Sequence, residues 1–160
     1  MKLYTLLMFI IIAITLKSQS DTCILVPNKG IGNIILDCSS DYDIIAKYGK
    51  TKLKKLKGWE SDKSWELKYN DIGLRFWLIG KSRKNLQVAW ITITFPSNCT
   101  LVNGLKIGST KNEVLELLDA PDSILSMPKF DIYSYYNETL SICISTTSAD
   151  KDQIIEITLK

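Results

Sequence analysis

The chain is predicted to be an α+β protein built from two tandem copies of one unit, each a short helix (or helix pair) packed on one face of a three- to four-stranded antiparallel sheet. Three observations predict this class. Two helix starts carry capping-box spacing, long stretches alternate apolar and polar residues with period two, and the two halves present their elements in the same order.

At the N-terminus Lys2 precedes an almost unbroken apolar run from Leu3 to Leu16. Ser18 and Ser20 then stand at the −3 and −1 positions of a cut before Asp21. That arrangement predicts a secretory signal peptide over residues 1–20, because the apolar run is short for a bilayer span. The expected mature chain is therefore secreted or periplasmic, monomeric, and without a transmembrane segment. Removing those 20 of the 160 residues takes away two lysines and no acid, which leaves 18 basic against 17 acidic side chains. So even a balance predicts no nucleic-acid partner. The local run "KYGKTKLKKLK", with six lysines from Lys47 to Lys57, reads first as a solvated face and second as an anionic docking patch.

The segment "CILVPNKGIGNIILDCSSDYDIIAKYGKT" aligns with "CTLVNGLKIGSTKNEVLELLDAP". Cys23 falls on Cys99, Leu25-Val26 on Leu101-Val102, and Asp43-Ile44 on Glu113-Val114. Further along, "KYNDIGLRFWL" aligns with "YYNETLSICIS", and "QVAWITITF" with "DQIIEITLK". The predicted units are residues 21–95 and 96–160, joined at "PSNC". In the first, Ser40 and Asp43 cap a helix whose apolar face is Ile44, Ile45 and Tyr48, with Gly49 as the stop. In the second, Thr110 and Glu113 cap a helix with Val114, Leu117 and Leu118 on one face, and Pro121 ends it. Helices this short need a sheet to pack on. The alternating strands supply it, in "ELKYNDIGLRFWL", "QVAWITITF", "FDIYSYYNETLSICIS" and "QIIEITL".

The stretch "GLKIGSTKNEVLELLDAP" (Gly104–Pro121) has the form G-[IL]-x-[IL]-G-x-[ST]-x-x-E-V, followed by a short helix and a β-meander. It resembles the β-lactamase-inhibitor-protein-like (BLIP-like) fold, which includes a secreted tandem-repeat inhibitor and the single-unit SmpA/OmlA-type lipoproteins. The pattern covers essentially the whole mature chain, with Asp37 standing where the second unit has Gly108. The resemblance implies a non-enzymatic protein-binding module, in its sharpest form an inhibitor of a β-lactamase-type hydrolase. Its alternative is a structural or assembly factor of the cell envelope.

Alternation on a one-sided sheet separates core from open face. Leu74, Phe76 and Leu78, with Ala89, Ile91, Ile93 and Phe95, are predicted to face the first helix, and Leu140, Ile142 and Ile144 the second. The opposite faces then carry Glu66, Lys68, Arg75, Trp77 and Trp90 in one unit, and Tyr133, Tyr135, Ser141, Glu156 and Thr158 in the other. Two outcomes stay open for these residues. They form a partner-binding surface of the Trp, Tyr and Arg type that dominates binding hot spots, or loops and the facing unit bury the rings as a second core. Trp59 and Trp65, beside the irregular "GWESDKSW" stretch, are weaker candidates.

Four cysteines in an exported chain favour two disulfides, and three pairings are possible. With Cys143 on the open face and Cys99 opening the second unit, the favoured pairs are Cys23–Cys38 and Cys99–Cys143. Absent histidine removes any Ser–His or Cys–His nucleophile, and the cysteine spacings match no zinc pattern. Neither a metal nor a cofactor is expected.

Three motifs fail on inspection. "GKT" at Gly49 lacks its upstream glycine, which would have to stand at Ile44, and "GIGNII" has Ile35 where a dinucleotide loop needs glycine. "SMPK", from Ser126 to Lys129, lacks the companion motifs of penicillin-recognising enzymes. No pair of acids is placed for acid–base work, so the chain is not expected to be an enzyme. The sequons at Asn98 and Asn137 are incidental.

Overall fold

The computed structural model describes residues 23–56 and 63–160; the predicted leader and Trp59 lie outside the described residues. The first half contains β1 (Ile24–Val26), β2 (Gly30–Ile31), β3 (Ile34–Ile35), α1 (Asp41–Tyr48), β4 (Lys54–Lys55), β5 (Ser64–Tyr69), β6 (Leu74–Ile79) and β7 (Gln87–Thr94). The second contains β8 (Thr100–Leu101), α2 (Lys111–Leu118), β9 (Ser123–Ser126), β10 (Phe130–Tyr135), β11 (Leu140–Ser145) and β12 (Ile154–Leu159).

The protein is mostly β, which corrects the expected α+β tandem of helix-on-sheet units. Its strands form one sheet of eight, in the order β4-β5-β6-β7-β12-β11-β10-β9, and a second sheet of four, β3-β2-β1-β8. The physical reason lies at β7. If each half stood alone, the outer backbone groups of β7 and β12 would be an open edge. Instead the two strands pair antiparallel, with Ile93 opposite Ile157 and Thr92 opposite Thr158, and the halves merge into one sheet. The small sheet escapes a pattern-based reading because its strands are only two or three residues long.

Both helices start as their sequences dictate. The Asp43 amide donates to Ser40 Oγ at 3.4 Å, and the Ser40 amide returns to Asp43 Oδ2 at 2.7 Å. Thr110 and Glu113 repeat the exchange at 3.3 and 2.6 Å. Ahead of each helix the chain turns through a left-handed residue, Asp37 at φ 58° and Gly108 at φ 89°. Asp tolerates that conformation better than most residues with a Cβ. From there the Asp37 amide donates to the Val88 carbonyl at 2.7 Å, and the Gly108 amide to the Ile154 carbonyl at 2.9 Å. Each helix thereby hangs on a strand at the centre of the large sheet. Ile44 and Val114 are the fully buried residues of the two helices, whereas Leu117, expected inward, is 47% exposed.

The core lies between the helices and one face of the large sheet. Leu67, Phe76, Leu78, Val88, Ile91, Ile93, Ile142, Ile157 and Leu159 are all fully buried. A bulge between Trp77 and Leu78 in the β6–β7 pairing puts Val88, not Ala89, opposite Leu78. Phe95 is 83% exposed rather than buried, because β7 ends at Thr94 and the Ser97 amide turns back to the Thr94 carbonyl at 2.8 Å. That corner is tight. Gly73, at φ 63°, passes so close to the Thr94 carbonyl that a Cβ there would collide with it.

The disulfide joins Cys23 to Cys99, which overturns the expected pairs Cys23–Cys38 and Cys99–Cys143. β1 and β8 run parallel with Ile24 opposite Thr100, so the residues just ahead of them meet with Cα atoms 4.5 Å apart. Cys38 is left exposed, and Cys143 sits on the far face of the large sheet as a free thiol.

Candidate functional site

The eight-stranded sheet has a second face that neither helix touches. On the helix side Tyr48 of α1 packs 5.5 Å from Phe76 and 5.7 Å from Tyr69, ring to ring, and Lys111 of α2 lies over the Tyr133 ring. Residues opposite one another in antiparallel strands share a face, so the register maps the other side in transverse rows. One row is Glu66, Trp77 and Trp90. The next runs through Lys68, Arg75, Thr92, Thr158, Ser141 and Ser134. A third carries Thr94, Glu156, Cys143 and Ile132.

Trp77 and Trp90 sit opposite one another across β6 and β7, with ring centroids 5.4 Å apart and planes inclined at 53°. Both are half-buried. An offset, tilted pair of this kind gains about 0.5–1.5 kcal/mol beyond its area and holds both indoles in place. Beside them Arg75 Nε lies 3.4 Å from Glu66 Oε1, an ion pair whose geometry falls short of a hydrogen bond. Lys68 on the same face is exposed.

At the seam between the halves, Thr92 Oγ1 and Thr158 Oγ1 are 3.0 Å apart, and Thr158 Oγ1 also donates to Glu156 Oε1 at 3.4 Å. The Cys143 thiol points at the same carboxylate, with Sγ 3.9 Å from Glu156 Oε1. Burial, and then the negative charge of Glu156, push that thiol up to about 12. A thiol held protonated in this way is a poor nucleophile.

Five of the seven predicted surface residues, Glu66, Lys68, Arg75, Trp77 and Trp90, share this face. Tyr133 and Tyr135 do not. Tyr133 pairs with Ile142 and Tyr135 with Leu140, which places both on the helix side, 2% and 6% exposed. The cause is the turn. The Thr139 amide closes on the Tyr136 carbonyl at 3.1 Å, and that tight connection sets Tyr135 directly opposite the core residue Leu140. Counting back from Leu140 through a tight turn at "YNET" is the signal that assigns both tyrosines inward.

Tyr135 instead braces the end of a helix. Its hydroxyl donates to the Asp119 carbonyl, the C-cap of α2, at 3.3 Å. Tyr69 does the same for the Gly49 carbonyl at the end of α1, at 2.8 Å. Burial pushes Tyr135 up to about 12. Ile132 and Ser134 are the residues of β10 on the Trp77–Trp90 face, and Ser141 of β11 and Thr92 of β7, in the same row as Ser134, are themselves buried. Trp65 faces inward in β5 and is buried.

No family model matches the chain, and no curated protein does. A solved structure of a DUF4309 family protein (YjgB) from Bacillus subtilis is similar over 81% of this chain and 84% of that one. The identity is 12% and the TM-score 0.46. A likeness at that level carries no inference about fold or role, which rest on the residues above.

Proposed function

We propose that this chain is an exported, non-enzymatic protein-binding module that docks a folded partner on the open face of its eight-stranded sheet. The observation that carries this is the half-exposed Trp77–Trp90 pair, fixed at 5.4 Å on the face opposite both helices and flanked by Arg75, Glu66 and Lys68. Large rigid aromatics beside an arginine bring contact area at low entropic cost, which is the composition of binding hot spots. The Cys23–Cys99 bond supports an extracytoplasmic location, where disulfides persist. None of the described helices is long and apolar enough to cross a membrane. A β-lactamase-type hydrolase is the sharpest candidate partner, on the strength of the family resemblance alone.

The test compares baits. Wild type and a Trp77→Ala/Trp90→Ala variant are used to capture partners from the exported proteome of the host, with the fold of each checked by circular dichroism. A partner held by wild type and lost by a folded variant supports the proposal, and equal recovery by both rejects it. Adding the purified chain to a β-lactamase tests the narrower version, where undiminished hydrolysis rules it out.

A further inference from the structure

The two ends of the large sheet are unlike. At one end β4 carries Lys54 and Lys55, both exposed, and lysines on a short strand are a standard guard against edge pairing. At the other end β9, Ser-Ile-Leu-Ser, has no such guard. Ile124 is 53% exposed, Leu125 58% and the adjoining Met127 44%. Its register with β10 runs unbroken over four pairs, from Ser123 opposite Ser134 to Ser126 opposite Asp131, so no bulge twists the edge away.

The Met127 amide donates to the Phe130 carbonyl at 2.9 Å, which fixes the phase of the ladder. Leu125 then faces Ile132 as a hydrogen-bonded pair, and Ile124 and Ser126 turn their N–H and C=O groups outward. Among the described residues no strand lies beyond β9.

We propose that β9 is an open edge on which a partner polypeptide adds one further strand. That segment is extended, apolar at alternate positions, and carries a lysine or arginine at the end beside Asp122. Outward backbone donors and acceptors are met by another strand, and Ile124, on the helix side of the edge, asks for the apolar residues of that strand on the same face. Charge sets the basic end: Glu116, Asp119 and Asp122 are all exposed on the approach to β9, whereas Lys129 is the exposed cation of the turn at its far end. A second copy of β9 paired antiparallel would bring its own Lys129 to the end beside Asp122, so self-pairing is the competing outcome that the test separates. Leu125 continues the row of Ile132 and Cys143 on the Trp77–Trp90 face, but β9 lies four strands away from β7, and either proposal can fail without the other.

The test is amide hydrogen exchange on the full chain, followed by NMR, with and without the blocked peptide Lys-Val-Thr-Val-Thr-Val-Thr. The Ile124 and Ser126 amides are expected to exchange fast in the free protein and to gain protection with peptide. Protection is expected to be lost in Ile124→Lys and in Ser126→Pro, the latter removing an outward N–H without touching a bond to β10. A peptide with glutamate in place of its lysine is expected to bind more weakly at low salt. Unchanged exchange at saturating peptide, equal protection in both variants, or equal binding of the two peptides would overturn the proposal. So would a wild-type dimer in sedimentation that Ile124→Lys dissolves, since a second copy would then be the occupant.

Discussion

Cys23 and Cys99, the residues just ahead of β1 and β8, are bonded to each other across a sequence separation of 76. The bond ties the small sheet together where its two halves run parallel, and it closes a long loop that spans α1 and strands β1 to β7. Closing a loop of this size removes much freedom from the unfolded chain. A Cys23→Ala/Cys99→Ala variant is expected to lose about 2–4 kcal/mol in urea unfolding. Cys38→Ala, at an exposed free thiol, is expected to change little. Nonreducing peptide mapping should recover Cys23 and Cys99 in one linked fragment.

The two free thiols should differ sharply in reactivity. Cys38 is exposed, whereas Cys143 is half-buried beside Glu156 and pushed up to about 12. At pH 8 an alkylating reagent should label Cys38 readily and Cys143 only after denaturation. Glu156→Gln removes the neighbouring charge and should speed labelling of Cys143 in the folded protein. Equal rates for both thiols in the native wild type would contradict the placement of Cys143.

Each helix is held at its C-terminus by one phenol. Tyr69→Phe and Tyr135→Phe remove the hydrogen bonds to the Gly49 and Asp119 carbonyls while keeping the rings in the core. Each is expected to cost about 1 kcal/mol, measured by chemical denaturation. Tyr135→Ala should cost about 3–5 kcal/mol, because it also leaves a cavity where a large ring was buried. A surface role for Tyr135 would instead make the alanine variant nearly as stable as wild type.

Acid sensitivity follows from the two capping boxes and one hairpin. The hydrogen bonds from Ser40 hold Asp43 below the usual carboxylate range, those from Thr110 do the same for Glu113, and those from Thr147 and Ser145 for Asp150. A group whose folded pKa is depressed contributes stability above its unfolded pKa and loses it as pH falls through the folded value. The urea midpoint should therefore drop as pH is lowered from about 5 towards 3. An Asp43→Asn/Glu113→Gln variant should start less stable at pH 6 and lose less over the same window. Parallel curves for the two proteins would sink this account of the caps.

Much of the local structure was legible in the sequence. Ser40-x-x-Asp43 and Thr110-x-x-Glu113 announce both helix starts, because the capping box is a contact between residues three apart. The alternation Leu74, Phe76, Leu78 against Arg75 and Trp77 likewise assigns the two faces of β6. What the pattern could not settle is non-local. Nothing in the residues of β7 or β12 states that they pair with each other, so the pattern reads as two units where one eight-stranded sheet forms. Alternation alone does not place the tyrosines of β10, because their phase depends on the length of the Tyr136–Thr139 turn. The cysteine partners depended on the β1–β8 pairing of two very short strands.

We propose above that the face bearing Trp77 and Trp90 docks a protein partner. The most direct test is photo-crosslinking in the host. A photoreactive residue replaces Lys68, exposed on that face, or Tyr42, exposed on α1 and 71% accessible. A discrete crosslinked adduct is expected from position 68, lost when Trp77→Ala and Trp90→Ala are added, and none from position 42. No adduct from position 68, or the same adduct from both positions, would contradict it.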